Sequence, residues 1–96
     1  MTAIFGELLS FSQEKGPDIR LKVFGDEFYA RYETPEGYSV IYDQELGLFV
    51  YALLQDGRFV SSGVNLGSSP PPNLALHLEE DRRVQTSRAE SRFPKR

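Results

Sequence analysis

The strongest constraint on this chain is an alternation of apolar and polar side chains with period two, broken at short intervals by turn-forming residues. In residues 18–24, Ile19, Leu21 and Val23 point one way, and Arg20 and Lys22 the other. Successive strand residues face opposite sides of a sheet, so this pattern fits a strand with one buried face and does not fit a helix. Residues 27–33 repeat it, with Phe28, Ala30 and Tyr32 opposed to Tyr29 and Arg31. Thr34-Pro35-Glu36-Gly37 has proline and glycine where a type I turn favours them. Residues 38–42 are β-branched and aromatic, residues 43–47 read as a loop, and residues 48–54 are apolar on both faces. The last are therefore expected to form a strand covered on both sides, with Val50 and Ala52 deeply buried. Asp56-Gly57 is a strong hairpin signal, because both central residues of a type I′ turn need positive φ. A short strand over 58–61 and a further extended piece over 64–66 follow.

The pattern stops at Ser68-Ser69-Pro70-Pro71-Pro72-Asn73. Three consecutive prolines remove three backbone donors and fix φ, so neither a helix nor an inner strand runs through. The expected fold is mainly β: a small antiparallel meander sheet or partial barrel over residues 1–67, a Pro/Ser linker over 68–73, and a short helix with a basic polar tail over 74–96. Asn73 is the expected cap of that helix, with Leu74, Leu78 and Val84 on its docking face. Residues 3–11 fit a strand or a short helix; strand is preferred, and Leu8, Leu9 and Phe11 are core candidates in both cases.

Composition narrows function mainly by exclusion. The chain has 96 residues, no cysteine and one histidine, His77. Cysteine-based zinc or iron–sulfur sites, thiol nucleophiles and disulfides are excluded, and so is a paired-histidine zinc site. Residues 1–73 carry ten acidic and five basic side chains; residues 74–96 carry four acidic and six basic. An acidic body is a poor match for nucleic acid, which needs a basic footprint. The basic tail reads as a solvated segment, the alternative being attraction to an acidic surface, its own body included. No apolar run approaches the length of a membrane span, and the N-terminus lacks the basic start of a signal peptide.

Each chemical candidate has a plain structural alternative. His77 is a lone histidine in the expected helix and reads as an ordinary helix residue. Asp26, Glu27, Asp43, Glu45 and Asp56 sit at turns, where aspartate bonds its own backbone, and none has calcium-loop spacing. Ser61, Ser62, Ser68 and Ser69 are loop serines without a second histidine to build a triad. No catalytic residue, metal ligand or cofactor is expected. The aromatic residues matter more, because alternation puts some on each side of a thin sheet. One set makes the core; the other, with Tyr29, Tyr42 and Tyr51, forms a partner-facing patch unless the chain's own tail covers it.

Three runs carry a family likeness: Val23-Phe24-Gly25-Asp26-Glu27-Phe28-Tyr29, then residues 32–40 around Thr34-Pro35-Glu36-Gly37-Tyr38, then Gly47-Leu48-Phe49-Val50-Tyr51-Ala52. Together they resemble the N-terminal region of secreted zinc metalloproteases of the immune inhibitor A type. Residues 56–64 look like that family's next hairpin, and residues 72–78 are similar to its linker toward the protease. The family's His-Glu-x-x-His catalytic domain is absent from this sequence. The resemblance therefore implies a pro-region, not a protease: a non-catalytic domain that covers a zinc protease or assists its folding. Without cysteine, a carboxylate, His77 or steric blockage would have to do the silencing. The implied partner-binding residues are Phe28, Tyr29, Tyr42, Tyr51, Leu74 and Leu78, and the partner is a protein. The alternative is a stand-alone interaction module or a small subunit of a larger assembly.

Overall fold

A computed structural model of the chain describes residues 4–25 and 29–92, the last four of these by backbone alone. Among the described residues six strands and one helix follow in order: β1 (Ile4–Gln13), β2 (Gly16–Gly25), β3 (Ala30–Glu33), β4 (Ser39–Asp43), β5 (Leu48–Gln55), β6 (Arg58–Asn65) and α1 (Arg82–Arg92). All strands lie in one antiparallel sheet whose spatial order is the sequence order. The meander expected from the alternation is the fold observed.

The turns form where their chemistry requires. Gly37 N–H donates to the Thr34 carbonyl at 2.9 Å, closing the Thr34–Gly37 turn. Asp56 and Gly57 have φ of 53° and 78°, as the type I′ hairpin demands. One oxygen of the Asp43 carboxylate accepts from the N–H groups of Glu45 and Leu46 in its own loop, and the other accepts from the Ser61 hydroxyl at 2.6 Å. One hairpin carried no clear signal: Glu14 and Lys15 join β1 to β2, with Gln13 opposite Gly16.

The tip of that hairpin curls the sheet. Lys15 N–H donates to the Gly47 carbonyl at 3.0 Å, and the Gln13 side chain accepts from Phe49 N–H at 2.7 Å. Gly16 is pressed so closely on Leu48 that an added Cβ would lie 2.8 Å from its methyl. The concave side holds Leu21, Val40 and Phe49, with Phe11, Ile19, Tyr32, Tyr42 and Leu66 packed around them. Phe11, Tyr32 and Tyr42 each meet Phe49 or one another edge-to-face, with ring centroids 4.9–6.5 Å apart. Strand β5 is covered on both faces, and Val50 and Ala52 have no exposed surface.

Three expectations are corrected. Leu8 and Leu9 are not core residues: they are 44% and 38% exposed on the edge strand β1, where no further strand covers them. Residues 58–61 and 64–66 are not separate pieces; most of them belong to one strand, β6, which a register shift beside Gly63 bends. Residues 74–81 are not helical. Asn73 and His77 have φ of 62° and 57°, incompatible with a cap and a helix interior respectively. The segment is an extended strap whose backbone bonds the sheet instead of itself. The helix starts only at Arg82, where Asp81 caps it by accepting from Arg83 N–H at 2.8 Å.

Candidate partner-binding site

The strap crosses the convex face, which carries Tyr29, Arg31, Glu33, Ser39, Ile41, Val50 and Ala52 by alternation. His77 N–H donates to the Gly37 carbonyl at 2.8 Å, the Ser39 hydroxyl donates to the Leu78 carbonyl at 2.7 Å, and Asp81 N–H donates to the Gly57 carbonyl at 2.7 Å. The Asp56-Gly57 turn is therefore also the seat of the α1 N-terminus.

Two carboxylates are buried where the strap meets the sheet, Glu33 of β3 at 1% exposure and Glu80 of the strap itself at 5%. Burying a charge is costly unless it is paired, and both are fully engaged. Glu33 takes the Arg31 guanidinium and, at 3.0 Å, His77 Nδ1. Arg31 also stacks on Phe24, 4.7 Å from the ring centroid. Glu80 accepts from the Tyr29 hydroxyl at 2.8 Å, from Phe59 N–H at 2.8 Å, and from the Arg88 guanidinium. Burial first, and then the bond to Glu80, push the Tyr29 phenol well above the usual tyrosine range.

Beside these groups the sheet opens. Strands β3 and β4 pair only at Tyr32–Val40 and Glu33–Ser39. Continued in the same register, Arg31 would meet Ile41 and Ala30 would meet Tyr42, but the ladder stops. Thr34 N–H donates to the Tyr38 carbonyl at 2.8 Å, which fixes the phase of the alternation. Two and four residues further on, Tyr32 and Ala30, with Val40 and Tyr42 opposite, have the same orientation, so the backbone groups of Ala30 and Tyr42 face the gap. The resulting cleft of about 620 Å³ has walls of Tyr29, Arg31, Tyr32, Tyr42, Glu80 and Arg88. That size is in the range of ligand-binding pockets.

The sequence-predicted site residues divide. Tyr29 and Tyr42 meet at this cleft. Neither is a free surface ring: Tyr29 holds Glu80, while Tyr42 packs on Phe49 and accepts from Glu14 N–H. Tyr51 does not join them. It is 6% exposed, stands edge-on to Tyr38 and donates to the Ser68 carbonyl. Its phenol is shifted upward by burial and then by the negative charge of Glu36. The expected single aromatic patch is thus covered, by the strap on one side and the curl on the other. Leu74 and Leu78 are half-buried in the strap and do not line the cleft. Phe28 lies outside the described residues.

Arg31, Glu33, Glu80 and Arg88 are the functional candidates the sequence reading missed. Arg31 and Glu33 had a signal, since they share with Tyr29 the face opposite Ala30 and Tyr32. Glu80 and Arg88 had none. His77 is held by Glu33 as a catalytic histidine would be, but the hydroxyl opposite Glu33 in the register, Ser39, is spent on Leu78. Among the described residues no group of three or more acidic or histidine side chains is placed to hold a metal ion, and no helix is long and apolar enough to cross a membrane. No family model matches the chain, nor does any curated protein or solved structure.

Proposed function

We propose that this chain is a non-catalytic binding domain of pro-region type, which takes hold of a zinc metalloprotease partner at the cleft between β3 and β4. The observation that carries this reading is the interrupted ladder, where two strands held from outside by β2 and β5 turn the backbone of Ala30 and Tyr42 toward one cavity, beyond the last ladder pair among the described residues. Recognition by strand edges needs that arrangement, with flanking side chains supplying selectivity. Tyr29 and Tyr42 supply large rigid contacts, and Arg31 and Arg88 arrive already neutralised by Glu33 and Glu80. The resemblance of residues 23–29, 32–40 and 47–52 to immune inhibitor A-type pro-regions supplies the class of partner.

The use of residues 77–88 on the chain's own sheet favours a second reading, a stand-alone interaction module. A strap latched within the domain is not free to lie along a partner. The test adds the purified chain to an immune inhibitor A-type catalytic domain and follows casein hydrolysis. Saturable slowing, weakened by Tyr42→Ala by about 1–3 kcal/mol, supports the pro-region. No slowing at any concentration removes that reading and leaves the module. Zinc-dependent hydrolysis by the chain alone would overturn the non-catalytic assignment.

A further inference from the structure

The sheet does not close on itself by hydrogen bonds, so it has two edges, β1 and β6, and they are finished differently. On β6 the chain satisfies its own donors: Ser61 Oγ accepts from Gly63 N–H, Ser62 Oγ from Val64 N–H, and Asn65 Oδ1 from Gly67 N–H. Gly63 at φ 73° adds a bulge that bends this edge away from any flat neighbour. These are the devices by which a sheet edge is made unfit for pairing.

Strand β1 has a bulge of its own at Gly6 (φ 78°), but the stretch beyond it, residues 7–11, has no such protection. Among the described residues, no side chain bonds the backbone of this stretch, which runs without a break between register shifts at Phe5/Glu7 and Phe11/Gln13. It carries one charge, Glu7, and no lysine or proline. Three of the large exposed apolar side chains are on this strand: Phe5 at 85%, Leu8 at 44% and Leu9 at 38%.

We propose that β1 pairs antiparallel with β1 of a second copy, giving a two-fold dimer with one continuous sheet. The backbone of an open edge asks for a strand, and the apolar side chains ask for apolar neighbours. Because β6 is blunted, a head-to-tail β1–β6 contact, which would propagate into fibres, is disfavoured, and the closed two-fold arrangement remains. Residues 7–11 centre the axis on Leu9. Leu9 then faces its own symmetry mate, Leu8 faces Ser10, and Glu7 faces Phe11, each pair on one side of the sheet. The two Glu7 carboxylates are four residues apart along the strand, about 14 Å at the rise of an antiparallel strand. That is beyond the Debye length of about 8–10 Å at physiological salt, so two acidic chains meet without a local charge clash.

Sedimentation velocity on the whole chain, from low micromolar to several hundred micromolar, tests this. The parent should pass from monomer to dimer and no further. Leu9→Lys, which brings two ammonium groups together on the axis, should weaken association at least tenfold. Leu8→Lys, on the opposite face and more exposed, should do the same and decides the matter if Leu9→Lys fails to fold. Arg58→Glu, on the β6 edge, should dimerise like the parent. A parent that stays monomeric throughout, a dimer indifferent to Leu8→Lys, or larger species that respond to Arg58→Glu would each overturn the proposal.

Discussion

The two faces of this thin sheet are kept dry by different means. The concave face is closed by apolar contact, with Phe11, Tyr32, Tyr42 and Phe49 arranged edge-to-face as the sheet curls over them. The convex face is closed by a strap that brings little apolar mass. It is held by backbone bonds to Gly37, Ser39 and Gly57 and by the buried carboxylates Glu33 and Glu80. The first kind of closure adapts to volume and ignores pH. The second depends on every charge keeping its partners. A sheet too small to bury both faces by curvature can seal the second with polar chain, provided the polar groups are fully paired.

The largest loss is expected at Val50, on the convex face and fully buried. Val50→Asp should cost about 4–5 kcal/mol, by leaving an unpaired carboxylate in a dry site. A variant that melts with the parent would mean the strap seals nothing. Next comes Phe49→Ala on the concave face, expected to cost about 3–4 kcal/mol by creating a cavity among the rings. Its loss should be insensitive to salt. Glu80→Ala on the convex face should cost about 2–3 kcal/mol, through the Tyr29 hydroxyl and Phe59 N–H donors that lose this acceptor. Here the loss should be local: amide exchange should accelerate over residues 77–88 before the strands. Uniform acceleration in both variants would erase the distinction between the faces.

Tyr29→Phe separates the two faces through pH. The folded phenol titrates above its unfolded value of about 10, so the stability its neutral form contributes is complete below pH 10 and is lost as pH rises beyond it. The parent should therefore weaken above pH 10 more steeply than the variant, which at neutral pH should be only about 1–2 kcal/mol less stable. Urea melts at neutral and high pH would compare the two slopes. The smallest effect, about 1 kcal/mol, is expected for Asp81→Ala, which removes the helix cap. The first turn of α1 contains Arg82 and Arg83 and no acidic residue, so little else there offsets the dipole. Circular dichroism should show helix lost with the sheet intact.

What the sequence made legible was whatever depends on neighbours in the chain. The strands, the Asp56-Gly57 turn and the burial of Val50 and Ala52 follow from period-two alternation and local turn chemistry. The strap was not legible, because its bonds run to residues far away in sequence. Val84 is helical and buried as expected, but Leu74 and Leu78 fit the same helical face only in sequence, because the Gly37 carbonyl, Ser39 hydroxyl and buried Glu33 outcompete it. Tyr29 was legible as an aromatic residue on the face opposite Tyr32, whereas Tyr42 belongs to the core around Phe49; the carboxylates beside Tyr29 resembled ordinary solvated charge. The exposure of Leu8 and Leu9 was hidden for a related reason: apolar residues imply burial only if something lies over them, and β1 is an edge.

The strap's long reach also sets the order of events during folding. Every strand pairs with its neighbour in the chain, so the meander closes only short loops. The strap contacts join residues 39, 44 and 51 positions apart. Loop-closure entropy favours the hairpins first, and strap docking needs a surface that exists only after they have formed. Interactions formed after the rate-limiting barrier affect the rate of escape from the native state more than the rate of reaching it. In a chevron plot Glu80→Gln should leave the refolding arm in place and lift the unfolding arm. The strap would then act as a late-closing clasp, governing how long the finished domain lasts and having little effect on how fast it forms.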